Sequence, residues 1–283
     1  MALKIRMEGI ILKPKRLNQY RRAVVGVIIV LFAFTSQAQN LEVGLFGGGS
    51  YYLGEFNPGL PFAKTRPSYG ISARYSENTR WSFRLSYYRG KVTGADDKLS
   101  GVINRDLSFV TTLNDVALVA EFNFWEYFTG SKMDYFTPYL FGGVGIFTYT
   151  PKSLDGVKLR PLGTEGQNIG FEGRSPYSKY SFSVPFGFGF KYSLSKRLGL
   201  NLEWGMRKTF TDYIDDVSKT YYLKGENINP DNGAELLSDP TLNHQPNMQR
   251  GEEKNFDWVA YAGLTISYKF DLYSKKRCNT LKW

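Results

Sequence analysis

The chain has 283 residues and a formal net charge of +10 at pH 7, and it contains 20 Tyr, 21 Phe and 29 Gly but a single Cys and a single His. This composition favours one β-rich domain, since barrels routinely exceed the usual length of a domain. The longest apolar run is too short for a bundle of membrane helices. A membrane β-barrel is not excluded, because its strands alternate polar and apolar residues.

The first 38 residues have the pattern of an export signal. Seven basic residues precede the apolar run AVVGVIIVLFAF, and small residues at Ser36 and Ala38 follow at the spacing that a signal peptidase reads. We expect a signal peptide over 1–38, a barrel over 39–270 and a periplasmic tail over 271–283. A single N-terminal anchor helix is the alternative. Removing the signal leaves +4 of the net charge, so nucleic-acid binding loses its main support.

Eight segments of the mature chain alternate polar and apolar residues as strands do. Strand six shows the pattern best, with aromatic and Val side chains on one face and Ser, Gly and Lys on the other. Pro185 interrupts it and predicts a local bulge. The eight predicted strands are 41–52, 67–76, 80–89, about 113–124, 136–149, 180–193, 198–207 and 256–270.

The connections alternate between long and short, which is typical of an outer-membrane barrel. Short turns at 76–79, 129–134 and 193–197 separate four long loops. The sequence therefore predicts an all-β fold, an eight-stranded antiparallel transmembrane β-barrel with four long extracellular loops, short periplasmic turns and both termini in the periplasm. A soluble eight-stranded barrel of lipocalin type is the alternative, because alternation alone does not say which face points inward.

Two features favour the membrane barrel over the soluble one. Large aromatics crowd the apolar faces, and Tyr and Trp lie near strand ends, as an interfacial girdle requires. The opposite faces carry Arg74, Arg84, Glu121 and Glu203. We expect these four to form ion pairs inside a lumen that is only wide enough for side chains, and we expect no pore.

One stretch, RKTFTDYIDDVSKTYY, places three carboxylates where strand seven leaves the barrel. Asp215 and Asp216, with the sole histidine His244 in the same loop, would resemble the omptin proteases, whose rim acids and His activate water. A calcium site lacks the alternating ligand spacing of known loops. The third interpretation is structural: Asp212 and Ser218 form turn hydrogen bonds while Tyr213, Ile214 and Val217 fold the loop over the rim. We favour this structural or partner-binding motif, Asp212, Tyr213, Asp215 and Asp216, and assign no catalytic residue, metal or cofactor.

The C-terminal tail SKKRCNTLKW contains the sole cysteine. An unpaired Cys278 in the oxidising periplasm suggests a disulfide to another chain, and a free thiol is the alternative. The basic residues Lys275, Lys276 and Arg277 suit an acidic partner or lipid head groups.

Three stretches resemble the PorG family of outer-membrane barrels, components of the type IX secretion machine of Bacteroidetes. They are LEVGLFGGGSYYLGEF, WVAYAGLTISYKF and the most specific, which ends in GMRKTFTDYIDDVS. The resemblance implies a structural or interaction subunit that associates with a periplasmic ring built from a lipoprotein and a soluble partner. Family members carry no assigned catalytic residues. We place the expected ring contacts in the three short turns and the tail, 271–283; a surface hydrolase of omptin type is the alternative function.

Overall fold

A computed structural model describes residues 40–96, 105–229 and 233–270. The expected signal peptide, the tail 271–283 and the residues assigned to that tail, Lys275, Lys276, Arg277 and Cys278, lie outside the described residues.

Eight antiparallel strands form one closed barrel, in which each strand pairs with its neighbours in sequence and the last pairs with the first. The prediction of an eight-stranded barrel is therefore confirmed. The strands are β1 (Asn40–Leu53), β2 (Arg66–Ser76), β3 (Trp81–Ala95), β4 (Ser108–Asn123), β5 (Phe136–Lys152), β6 (Tyr180–Ser193), β7 (Leu198–Thr209) and β8 (Trp258–Phe270). Helical turns occur in the loops at Gln167–Ile169, Phe171–Gly173, Gly225–Asn227 and Gly233–Leu236.

The connections lie at two ends of the barrel. The loop end carries L1 (54–65), L2 (96–107), L3 (153–179) and L4 (210–257), and the turn end carries T1 (77–80), T2 (124–135) and T3 (194–197). β3 and β4 extend further into the loop end than the alternation predicted. Lys91 on β3 and Thr112 on β4 face outward there and interrupt the apolar pattern, so these segments look like loop in the sequence.

The strand register sets the width of the barrel. Following paired residues once around the wall leads from Leu41 back to β1 at Tyr51, a stagger of ten positions. The chain of pairs runs Leu41, Tyr75, Phe83, Ala120, Gly142, Phe186, Met206, Ala260, Tyr51. Strand number and stagger together fix tilt and diameter, and eight strands leave an interior that side chains can fill.

Pro185 does not cause the predicted bulge. The pairing of β6 keeps one register with β5 on both sides of the proline and an unbroken register with β7. The pairs opposite Val184 and Pro185 are missing from the β5 ladder. A proline has no N–H to donate, so the strand loses hydrogen bonds locally while both chains keep equal length and the register is unchanged.

T2 is longer than the predicted turn at 129–134 and covers the turn end of the lumen. Tyr127 and Thr129 are buried, and the Thr129 hydroxyl donates to Glu42 of β1 at 2.6 Å. The backbone N–H of Gly130 donates to the Ser193 hydroxyl at 2.7 Å, which fastens T2 to the end of β6. This connection therefore forms a floor beneath the barrel interior.

Candidate functional site

The inward side chains of the lower barrel form a dense ionic network. Glu121 lies at its centre, accepts hydrogen bonds from Arg74 and Arg84, and pairs with the Lys191 ammonium at 2.7 Å. These charges confirm the expected interior ion pairs. The network, called here the lumen ion pairs, comprises the carboxylates Glu42, Asp115, Glu121 and Glu203 and the cations Arg74, Arg84, Lys191 and Arg207.

The lumen ion pairs link strands that are not neighbours in the wall. Arg74 of β2 bonds Glu42 at 3.0 Å and Glu121 of β4 at 2.8 Å. Tyr139 of β5 donates to Glu203 of β7 at 2.9 Å. Within this network four carboxylates meet four cations, so its own charges balance, which lowers the cost of burying them. A cavity beside Asp115 and Arg207 measures only about 10 Å³, which is room for about one water.

Above the ion pairs the lumen becomes apolar, and all four loops close over it. The upper interior packs Phe46, Tyr88, Phe147 and Tyr261 into one core cluster. Each loop adds side chains to the same cluster: Phe56 from L1, Leu107 from L2, Leu159 from L3, and Ile214 and Val217 from L4. We call the covering formed by the four loops the cap. The expectation that Ile214 and Val217 fold back over the rim is confirmed.

Glu165 of L3 is the main hydrogen-bond acceptor of the cap. Its fully buried carboxylate accepts the backbone N–H groups of Ser218 and Lys219, each at 2.9 Å. It also pairs with Arg250 at 3.2 Å. The Arg250 guanidinium continues to the Asp216 carbonyl at 2.7 Å. One carboxylate and one guanidinium therefore join L3 to two distant parts of L4.

Asp216 is held in the left-handed region, with φ of 67°, and its side chain binds L3. The Thr164 and Tyr177 hydroxyls both donate to its carboxylate. Tyr177 also stacks on Tyr213 with ring centroids 4.3 Å apart. Burial raises the pKa of Asp216 to about 6, although Arg250 and the two hydroxyls favour the ionised form. Tyr213 and Asp216 of the sequence motif therefore join L4 to L3.

Asp215 and Asp257 share one tyrosine hydroxyl. The Tyr52 Oη lies 2.6 Å from a carboxylate oxygen of each. A phenol has one proton to donate, so the second short contact requires a protonated carboxyl that donates to the phenol oxygen. Burial, with the charge of the neighbouring acids, raises the pKa of both carboxyls well above the usual range. The pair therefore holds a shared proton more tightly than two free carboxyls would.

Asp212 is a buried carboxyl at the base of L4. Its side chain is 5% exposed, and neither carboxylate oxygen has a hydrogen-bond partner. Burial, and then the charge of Asp215, raises the pKa of Asp212 to about 9. The neutral acid avoids the cost of an unpaired buried charge. The Ser218 backbone N–H binds Glu165, and the Ser218 side chain lies close enough to Asp212 to offset part of the rise in its pKa.

His244 contacts different residues from those that an omptin-like site requires. Its Nδ1 lies 2.8 Å from the Asp239 carboxylate, and its ring stacks on Tyr221 with centroids 4.0 Å apart. Burial alone would raise the pKa of Asp239, but the backbone and ring N–H groups of His244 lower it below the usual value. Asp215 and Asp216 bond Tyr52, Thr164 and Tyr177, so the structure does not assemble the hypothesised rim constellation.

The described ranges hold no group of three or more His, Cys, Asp or Glu side chains arranged to bind a metal ion. Sequence reasoning missed Tyr52, Glu165, Arg250 and Asp257, because they lie in distant segments and no local pattern marks them. Lys191 and Arg207 were identifiable, since each falls on the inward face of its alternating strand.

The outer wall is apolar where the lumen is charged. Outward residues such as Leu45, Val144 and Phe182 are each more than 60% exposed. On β6, Tyr180 and Tyr192 flank the outward run of Val and Phe, and the twelve residue steps between them span about 30 Å along the axis at ordinary rise and tilt. This height matches the hydrocarbon layer of a bilayer. A closed wall, an apolar belt and a paired polar interior define a membrane-spanning β-barrel with a filled lumen.

The chain belongs to the family described as a domain of unknown function, DUF6089, whose model matches residues 21–279. No protein with a curated description matches it. No helix among the described residues is long and apolar enough to cross a membrane.

Several solved structures are similar to this chain in fold. Neisserial surface protein A is 12% identical, with a TM-score of 0.45 over 83% of this chain and 100% of that one. The N-terminal β-barrel domain of OprF from Pseudomonas aeruginosa is 14% identical, with a TM-score of 0.38 over the same shares. OprG from Pseudomonas aeruginosa is 15% identical, with a TM-score of 0.40 over 82% of this chain and 97% of that one.

Proposed function

We propose that this protein is a structural or interaction subunit of the type IX secretion machinery. In this proposal it lies in the outer membrane of a Bacteroidetes cell, with the loop end outside and the turn end and both termini in the periplasm. There it associates with the periplasmic ring formed by a lipoprotein and its soluble partner.

The filled lumen is the observation that carries the proposal. The lumen ion pairs occupy the lower interior, an aromatic core fills the upper interior, and the cap and T2 cover the two ends. A barrel of this kind offers no path for a solute of ordinary size. Its function therefore lies on its surfaces, which favours an interaction role over a pore.

The turn end offers a surface that suits a protein partner. Met133 at the tip of T2 is 88% exposed, and Trp125 and Tyr135 are about half exposed beside it. With Arg80 and Glu126, these residues border a groove of about 530 Å³. Exposed aromatic and Met side chains rimmed by charges are typical of interface centres. T2 contains one of the segments in which we expected ring contacts.

The resemblance of three stretches to the PorG family supports the same function. The most specific of them, GMRKTFTDYIDDVS, spans the end of β7 and the base of L4. In the structure this segment holds the cap together through Asp215, Asp216 and the backbone of Ser218. The motif therefore stabilises the cap, and the proposed partner contacts lie at the other end of the barrel.

The first experiment is purification of a tagged copy from its native membrane in mild detergent, followed by identification of co-purifying proteins. We expect the ring lipoprotein and its soluble partner. A double variant, Trp125→Ser with Met133→Asp, should lose the ring proteins and lower secretion. Recovery of the wild-type barrel alone, or of ring proteins with the double variant at wild-type yield, would contradict the proposal.

The matched control changes two exposed apolar residues at the loop end, Leu154→Ser with Ile169→Asp. These side chains are 62% and 72% exposed. The control should retain both the ring proteins and secretion. For both variants, the amount of heat-resistant folded barrel on a gel separates lost binding from lost folding.

A further inference from the structure

Tyr51 belongs to the outward face of β1 but is shielded from its surroundings. The outward residues Val43 and Leu45 of the same strand are 43% and 66% exposed, whereas Tyr51 is 1% exposed. Its ring packs against Phe62 of L1 with ring centroids 5.1 Å apart, and its hydroxyl accepts a hydrogen bond from Trp204 Nε1 of β7 at 3.0 Å. L1 therefore covers part of the outer wall as well as the lumen.

The end of L1 lies directly on the wall. Gly49 faces outward on β1, and a Cβ there would collide with the Thr65 side chain, so the glycine permits this close approach. Phe62 has a φ of 63°, which a bulky residue rarely adopts. Such a backbone persists where the surrounding contacts hold it, and here the ring of Tyr51 provides the contact. L1 is thus held in one path across the outer surface.

The tip of L1 satisfies much of its own backbone. The Asn57 side chain accepts from the N–H of Leu60 at 3.0 Å and donates to the carbonyl of the same residue at 2.9 Å. The Thr65 hydroxyl donates to the Phe62 carbonyl at 2.6 Å, and Pro61 has no N–H. Leu60 and Phe62 are meanwhile each more than half exposed. Because hydrocarbon offers no partners for backbone groups, this tip is suited to an apolar layer.

An apolar groove of about 520 Å³ runs between the tip of L1 and the wall. Pro61 and Phe62 form one side, and Ala262 of β8 forms the floor. The other side consists of outward side chains from β6 and β7, namely Phe188, Phe190, Leu202 and Trp204.

The polar side-chain atoms of the lining residues are bound elsewhere. Trp204 donates its indole N–H to Tyr51. Glu203 contributes only its backbone to the groove, because its carboxylate pairs with Arg84 in the lumen at 2.6 Å. A polar ligand would lose hydrogen bonds on entering and gain none from side chains, which is costly. The groove therefore suits a hydrocarbon.

The groove opens into the apolar belt. Phe188 and Phe190 belong to the outward run of β6 between Tyr180 and Tyr192, the run that matches the hydrocarbon layer. The abundant hydrocarbon in that layer is the acyl chain of a lipid. A helix of a protein partner is too thick, since a cylinder about 10 Å across would fill 520 Å³ within about one turn. An extended acyl chain is thinner and can follow the groove.

We propose that this groove binds one acyl chain of a membrane lipid between the tip of L1 and the outer wall of β6, β7 and β8. The bound chain contacts protein on two sides, whereas a chain elsewhere on the belt meets the wall on one side. It therefore exchanges with the surrounding lipid more slowly than its neighbours do. The proposal concerns the outer wall and does not depend on the secretion role.

The test measures how closely acyl chains approach L1. Purified barrel in phosphatidylcholine vesicles receives a small fraction of phosphatidylcholine with a photoreactive diazirine in one acyl chain. After irradiation, mass spectrometry identifies the cross-linked peptides, and we expect adducts on residues 60–62. Ala262→Phe fills the floor of the groove and should lower their yield about tenfold, because the chain loses the burial of several CH₂ groups. Ala262→Leu fills it less and should lower the yield by a smaller factor.

Ala120→Phe is the matched control. Ala120 is also a half-buried outward alanine, but it lies on β4, on the opposite side of the barrel. This variant should keep the wild-type yield on L1, and heat-resistant folded barrel on a gel shows that each variant has folded. If Ala262→Phe does not fold, Ala262→Leu decides alone. A wild-type yield in the folded Ala262 variants, or an equal loss in Ala120→Phe, would overturn the proposal, because labelling would then reflect general contact with the bilayer.

A second measurement tests for a different occupant. With benzoylphenylalanine in place of Phe62, irradiation of native membranes should attach lipid to the barrel. Capture of a protein chain at this position would overturn the proposal, since the groove would then be a protein interface.

Discussion

The guanidinium of Arg84 on β3 donates to the carboxylate of Glu203 on β7 at 2.6 Å, across the full width of the lumen. The two residues are 119 positions apart, and their strands lie on opposite sides of the closed wall. Such bonds fill the lower interior with closely packed polar side chains, where an ordinary protein core has apolar ones. The lower barrel is therefore packed through its charges, and the apolar residues on the outward face of the wall lie against the bilayer.

Replacing Glu121 by Gln should destabilise the barrel strongly. Its carboxylate pairs with Arg74, Arg84 and Lys191, so a neutral amide leaves three buried cations with less counter-charge. Breaking a buried ion pair usually costs about 3–5 kcal/mol. Urea unfolding in lipid vesicles measures the change. Glu126→Gln, an exposed residue of T2, is the control and should change the unfolding free energy by less than about 0.5 kcal/mol.

Two adjacent glycines on β5 should differ in their tolerance of alanine, with only Gly143→Ala destabilising the barrel. A Cβ on Gly143 would lie 2.1 Å from the backbone oxygen of Leu118 on β4, so Gly143→Ala must push the strands apart. Such overpacking costs about 1–3 kcal/mol. A Cβ on Gly142 would meet nothing closer than the Pro185 oxygen at 4.0 Å, and Gly142→Ala should be nearly neutral. Equal unfolding free energies for the two variants would contradict the register described here.

The barrel could be predicted because the sequence features that specify it are local. Period-two alternation on each strand says which residues face the lipid, and the alternation of long and short connections says how strands are joined. Arg74, Arg84, Glu121 and Glu203 were located in this way without knowledge of any contact. Where the outward face turns polar, as at Lys91 on β3, the same rule placed the strand end too early.

The cap could not be predicted because its contacts are long-range. Glu165 binds residues more than 50 positions away, and Tyr52 binds Asp257 at a separation of 205. No spacing in L3 or L4 encodes such partners. The motif containing Asp215 and Asp216 could be singled out in the sequence. Its structural role depends on its contacts with residues of distant segments, which the sequence does not show.

Glu165→Gln should loosen the cap without unfolding the barrel. The amide keeps an acceptor for Ser218 and Lys219 but removes the charge that faces Arg250. We expect faster protease cleavage within L3 and L4 and unchanged strand content by circular dichroism. Glu172→Gln is the matched control from the same loop, since its exposed carboxylate pairs with Arg174 at the surface. Cleavage at the wild-type rate in Glu165→Gln would show that the ion pair does not hold the cap.

The buried acids of L4 should make the cap less stable as pH rises. The pKa of Asp212 is raised to about 9 by burial and by Asp215, whereas an unfolded Asp titrates near pH 4. A raised folded pKa means that the folded cap holds a proton that the open cap releases. The stabilising contribution is therefore complete below about pH 4 and is lost as pH rises toward 9. Asp215 and Asp257, whose pKa values burial also raises, act in the same direction.

Hydrogen exchange of the amides 212–218, corrected for the intrinsic effect of pH, measures this loss. We expect their protection to fall steadily between pH 5 and pH 9, while amides in the middle of β4 stay protected and report an intact barrel. Asp212→Asn keeps the size of the side chain but cannot ionise, so the fall should become shallower at the alkaline end. Protection that is independent of pH in the wild type, or equally steep in Asp212→Asn, would show that this carboxyl is not the titrating group.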